Sequence, residues 1–175
     1  MPRGDRAEDY LPFQEPWTGV FKCGDREPQK LVVRHAAPRG LVWLIDVSAF
    51  YTGGQYALLI TSGERGILLH NTITGGALAK LDPPQILLPR NLAEGSGWTS
   101  SGSDVQITGF PDRLEIAALG RRWPARQLEV RAKVRSKETT FTFWLSPGVG
   151  IVRFRGGAGD LEGDWELATV PQDSK

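Results

Sequence analysis

The chain reads as all-β, and three observations carry that reading. Apolar and polar residues alternate with period two in one short run after another. The runs are enriched in β-branched and aromatic residues, and Gly, Pro, Asn or Asp bounds each of them. No stretch has convincing helical spacing; the best place for a single turn is 78–81, and Pro83 and Pro84 stop it. The 175 residues amount to one domain, and such a domain buries about 70% of its unfolded surface, so neither disulfides nor metals are needed to hold it. The expected organisation is a disordered tail over 1–9, one β domain over 10–170 and a tail over 171–175.

Taken in order, the predicted strands are WTGVFKC (17–23), KLVVRHA (30–36), GLVWLIDVSAF (40–50), QYALLITS (55–62) and GILLHNTI (66–73). The segment SGERG (62–66) joins the last two as a hairpin. A long Pro/Gly/Ser-rich connection, LDPPQILLPRNLAEGSGWTSSGSD (81–104), follows; connections of that length tend to be functional or mobile. Beyond it come DVQITGF (104–110), RLEIAAL (113–119), RQLEVRAKVRS (126–136), TTFTFWLS (139–146), GIVRFRG (150–156) and DWELATV (164–170), about eleven strands in all. The clearest alternation places Leu128, Val130, Ala132 and Val134 inward and Glu129, Arg131, Lys133 and Arg135 toward water. A one-residue slip would bury those four charges, so the register is well specified. Ser136, Lys137 and Glu138 read as a tight hairpin turn. The next strand sets Phe141, Phe143 and Leu145 against Thr140, Thr142 and Trp144. Pro147, Gly148, Val149 and Gly150 are then a turn whose glycines serve backbone geometry; with no helix after them they do not form a phosphate loop.

Charge and reactive residues narrow the function classes. Lys and Arg total 21 against 20 Asp and Glu, a net charge of +1, which removes the electrostatic argument for nucleic acid or an anionic membrane. The densest basic segment, 121–135, puts Arg131, Lys133 and Arg135 on alternate positions, as on one solvated strand face. A single cysteine, Cys23, allows no intramolecular disulfide. With His35 and His70 it forms no catalytic or metal-binding spacing, and no cofactor is expected. Asp160, Glu162, Asp164 and Glu166 alternate as on a solvated edge rather than in a Ca²⁺ loop. The Arg3-Gly4-Asp5 triplet falls in the charged tail and reads as chance. The N-terminus, MPRGDRAEDYLPFQ, lacks the apolar core of about 7–15 residues that marks a signal peptide, and no run approaches the ~20 apolar residues of a membrane span.

The six tryptophans, Trp17, Trp43, Trp98, Trp123, Trp144 and Trp165, are spread one per strand region. Trp144 lies on the face opposite Phe141 and Phe143; if both faces are covered, the sheet is a single antiparallel, strongly curved one, a half-open β-barrel enclosing an apolar cleft. Simple core and rim packing is the alternative. The candidate ligand- or partner-binding residues are Trp43, Trp98, Phe141, Phe143 and Trp144. Pro147, Gly148 and Gly150 are structural turn residues.

YLPFQEPW (10–17), LLPRNLAEGSGWT (87–99), LGRRWPARQLEVRA (119–132) and TTFTFWLSPGVGIVRF (139–154) together resemble the TapB-like, DUF-type bacterial envelope (lipo)protein domains. The most specific of these motifs is W-x-x-x-G-V-G-[ILV]-V-[RK], here running from Trp144 through Gly148, Val149, Gly150, Ile151 and Val152 to Arg153. Glu15 and Pro16 depart from the family's Gly-x, and 122–126 lacks its usual Gly. The resemblance implies an antiparallel half-barrel similar to periplasmic lipoprotein carriers, no catalytic residues, and an extracytoplasmic setting, periplasmic or secreted, with the leader removed; cytoplasmic is the alternative. The expected function is a non-catalytic envelope domain that binds a lipid or other apolar small molecule, or a partner protein, on its concave face. The alternative is an assembly module docking another envelope protein through edge strands or the 81–104 loop. Peripheral membrane association is expected only if a lipid anchor has been removed.

Overall fold

The computed structural model describes residues 4–10, 17–35, 42–46, 56–92, 95, 97–102, 105–134, 137–156 and 162–169. Twelve strands form one antiparallel sheet: β1 (Trp17–Lys22), β2 (Gln29–His35), β3 (Val42–Asp46), β4 (Tyr56–Gly63), β5 (Gly66–Thr74), β6 (Ala77–Pro89), β7 (Trp98–Ser101), β8 (Val105–Ala118), β9 (Arg121–Val134), β10 (Lys137–Ser146), β11 (Gly150–Gly156) and β12 (Gly163–Thr169). Their order is β6-β5-β4-β3-β2-β1-β12-β11-β10-β9-β8-β7, two six-stranded meanders joined where β1 pairs with β12. The all-β, single-sheet prediction stands. No backbone ladder joins the two edge strands β6 and β7 among the described residues, and the sheet is an open one.

Four expectations are corrected. The 81–104 segment is not one long connection: β6 runs through its first part and β7 through its last. Residues 78–81 are strand, not a helical turn. Proline hid β6, because a proline cannot donate to a ladder; Pro83 and Pro84 are accommodated where β5 and β6 slip register between the Asn71–Lys80 and Leu69–Gln85 pairs, on an edge strand. The runs 104–110 and 113–119 are one strand, β8, interrupted by a register shift between Gly109 and Arg113. Finally, 4–9 is not a tail. Ala7–Tyr10 form a 3₁₀ turn with Ala7 and Tyr10 fully buried, and the Asp9 carboxylate accepts from the backbone N–H groups of Gly4, Asp5 and Arg6.

Cross-strand pairing lays a continuous row of side chains across half the sheet: Trp165 on β12, Phe154, Phe143, Leu128, Gly109 and Trp98 on β7 are neighbours in turn. Trp165, Phe154, Leu128 and Gly109 are buried, while Phe143 and Trp98 are half-buried. On this apolar face, ring centroids of Phe143 and Phe154 lie 5.1 Å apart and those of Phe141 and Phe154 lie 6.0 Å apart, the spacing that favours aromatic pairs.

The opposite face is also covered in part. Trp144 pairs with Gln127 of β9 and so shares a face with Ala125 and Trp123, which pairs with Ile116; all four apolar residues are buried, Trp144 to 6%. The β8–β9 hairpin runs on beyond the end of β10 through a two-residue turn, Leu119 and Gly120, both at positive φ. β8 also comes close to β11 and β12, strands it does not pair with.

The two edges meet through side chains. Ser100 of β7 accepts from the Ile86 N–H of β6 at 2.9 Å and donates to Gln85 Oε1 at 3.0 Å. Gln85 is buried and donates in turn to Pro83 O, so its polar atoms are matched inside the protein.

Candidate functional site

One end of the apolar face is closed by the N-terminal segment. Ala7 N–H donates to Arg90 O, and Leu92 N–H donates to Asp5 O, fastening the segment to the end of β6. Gly148 N–H, in the β10–β11 turn, donates to Asp9 O at 2.6 Å. Tyr10 hydroxyl donates to Gly4 O at 2.9 Å and accepts from Arg126 Nε at 3.1 Å. Arg126 Nη2 donates to Leu92 O. Outside this buried group, Arg113 pairs with Asp5 at 2.6 Å. Burial pushes the Tyr10 phenol above its ordinary pKa of 10.0, against the opposing pull of Arg126.

The other end presents partly exposed apolar side chains. Val130, Phe141, Phe143, Leu58, Leu81 and Cys23 are half-buried and pack against the core. On β9 and β10, Phe143 stands opposite Leu128, and Val130 and Phe141 lie beyond it on the side away from Arg126, so the face is fastened at one end and more exposed at the other.

Of the sequence candidates, Phe141 and Phe143 share the accessible part of the apolar face, and Trp98 stands at the β7 end of the same row. Trp43 lies in β3 opposite His35 and Ile60; its side chain lies outside the described residues. Trp144 is on the opposite face, apart from the others. Arg153 and Arg155 guanidinium groups lie 5.5 and 5.4 Å from its ring, a cation–π arrangement. The turn residues behave as turn residues: Gly148 and Gly150 have positive φ, and Val149 N–H closes on Ser146 O. Sequence reasoning missed Tyr10, Arg126 and Gly109.

Asp164 is not on an edge, since β12 pairs on both sides; that expectation is corrected, while Asp160 lies outside the described residues. Arg153 holds Asp164 through two bonds, of 2.6 and 2.5 Å, and Arg155 adds a third at 2.8 Å. These bonds, Arg153's first, hold the Asp164 carboxyl below its ordinary 3.8 despite burial pulling the other way. With a depressed folded pKa, the cluster's stabilisation is complete above the unfolded value and is lost as pH falls through the folded one. Asp164→Asn is therefore expected to remove a small acid-dependent component of stability, of the order of 1 kcal/mol for a half-exposed pair. Urea midpoints across the acid range check it: the variant's profile should be flatter than the wild type's below about pH 4.

Among reactive groups, His70 Nε2 lies 2.7 Å from Thr61 Oγ1, and Cys23 faces Gly163, where an added Cβ would meet its Sγ at 2.9 Å. The His35 side chain lies outside the described residues. No cluster of three His, Cys, Asp or Glu side chains able to hold a metal forms among the described residues. Comparison with known proteins finds no match, whether to a family model, a curated protein or a solved structure.

Proposed function

We propose that this domain is a non-catalytic binding module that takes an apolar ligand on the accessible end of its apolar face, in the bacterial envelope setting that the motif resemblance implies. The observation that carries the reading is the half-buried Phe141 and Phe143 beside Phe154, with the far end of the same face fastened by Tyr10 and Arg126. Fastening only one end leaves the large aromatics as wall and the other end as entrance. On this reading the sheet wraps toward a half-open barrel, which the Ser100 bonds to β6 support.

The docking alternative has less behind it. The edges it would use are occupied where β6 and β7 are stapled together, because Ile86 N–H already has its acceptor.

The test is displacement of a fluorescent apolar probe, with native mass spectrometry of the purified protein as a second readout. Phe141→Arg places a charge at the entrance. It is expected to weaken apolar-probe binding about tenfold or more, a desolvation effect; because Phe141 also packs against Phe154, the urea midpoint falls as well, and probe binding is compared at a urea-free condition where circular dichroism shows the variant folded. A wild-type protein that binds no apolar probe would overturn the reading.

A further inference from the structure

The apolar face contains a polar atom that the protein leaves unmatched. Trp98 stands on β7 directly opposite Gly109 of β8, and its ring lies flat on that glycine: a Cβ at 109 would sit 2.2 Å from Cε2, Cζ2 and Cη2. Cε2 carries Nε1, so the indole N–H is above β8 on the apolar face and not out on the rim of β7. The Nε1 atom is buried and no acceptor among the described residues takes its proton. Trp123 shows the ordinary arrangement, its Nε1 donating to Ala118 O at 2.9 Å. Buried indole N–H groups usually find a partner, and a ligand oxygen that supplies one gains about tenfold in affinity over an atom that cannot.

The neighbours define the rest of the ligand. From Trp98 the row continues through Gly109 and Leu128 to Phe143, three interstrand spacings or roughly 14 Å, and carries only apolar residues; Gly109 and Leu128 are buried and Phe143 half-buried, so a ligand lying along the row displaces the side chains that cover its middle. No cation stands in this row to meet a carboxylate, so a neutral acceptor fits better than an anionic one.

We propose that the ligand is a neutral acyl compound, an ester or amide of a hydrocarbon chain, whose carbonyl oxygen accepts from Trp98 Nε1–H while its chain runs along Leu128 toward Phe143 and Phe141. This inference rests on the apolar-ligand reading above and names the chemistry of that ligand. Gly109 is the enabling residue, because only the missing Cβ lets the indole reach over β8.

Methyl decanoate and the matched alkane undecane, each displacing the same fluorescent probe, separate the two levels of the argument. The ester-to-alkane affinity ratio is expected to fall about tenfold in Trp98→Phe, which keeps a ring and removes the N–H. In the unsubstituted protein the Trp98 indole resonance, read in a ¹H–¹⁵N spectrum, is expected to shift downfield with the ester and not with the alkane, so the test survives a variant that folds poorly. Displacement by both ligands with an unchanged ratio, or an indole resonance indifferent to the ester, overturns the acyl assignment and leaves the apolar-binding reading standing. Displacement by neither ligand overturns both.

Discussion

Arg126→Ala is expected to destabilise the protein by about 3–5 kcal/mol, the sum of two lost charge-assisted hydrogen bonds and the space left by a long buried side chain, read as a fall in the urea midpoint. Arg126 is 0% exposed, so its guanidinium has given up its water and relies on protein acceptors. Two of these are the Tyr10 hydroxyl and Leu92 O, and each charge-assisted bond contributes about 1.5–3 kcal/mol. Truncation removes both and leaves a space where a long side chain stood, adding a packing loss. The consequence should be local as well as global: without Arg126 the 3₁₀ turn loses its central anchor, and limited proteolysis within 4–10 should become faster at a urea concentration that leaves the strands intact. Tyr10→Phe keeps the ring and Arg126's bond to Leu92, so its expected cost is smaller, about 1 kcal/mol. A variant pair of equal stability would refute this account. The same group sets an alkaline limit. Tyr10's folded pKa is raised above its unfolded value of 10.0, so its contribution is complete below pH 10 and is lost as pH rises through the folded pKa.

How much of this was legible in the sequence depends on which interaction carried each feature. Most strands announce themselves, because period two is imposed on every strand that has one wet face and one dry one; the alternation of 128–134 and 139–146 is read correctly, but the turn between them is not, since Lys137 and Glu138, expected in the turn, pair with Val134 and Lys133 as strand. β6 does not announce itself. Its prolines carry the signal of a loop, and only pairing with β5 through two register shifts makes them admissible. β7 is four residues long, too short to show a period. The N-terminal segment reads as a tail because charged residues fill it; its fastening comes from Arg126, Arg90 and Gly148, far away in sequence. Arg126 itself held a clue. It has the parity of Leu128 and Val130, which places it on the inward face, although a charge at the start of a run invites the opposite reading. The separation of Trp144 from Phe141 and Phe143 was legible from alternation alone, whereas its burial, with Arg153 and Arg155 beside the ring, was not.

Gly109→Ala is expected to destabilise the fold by about 1–3 kcal/mol, the usual cost of forcing extra volume into a packed site. The added Cβ would lie 2.2 Å from three carbons of the Trp98 ring, where ordinary carbon contacts are about 3.5–4.0 Å. The backbone cannot be blamed, since Gly109 is not among the positive-φ glycines; the effect belongs to the indole. A double-mutant cycle isolates it. Trp98→Ala alone loses the ring's packing, but in that background Gly109→Ala has nothing to strike and should be nearly neutral, giving a coupling of about 1–3 kcal/mol between the two positions. Additive effects would show that the ring does not rest on Gly109. The cycle also bears on binding, because an indole pushed off β8 carries its N–H away from the row that ends at Phe143. Gly109→Ala should therefore lower the ester-to-alkane affinity ratio as Trp98→Phe does, while Phe141→Arg should weaken both ligands together. These distinct signatures separate the residue that positions the donor from the residue that forms the entrance.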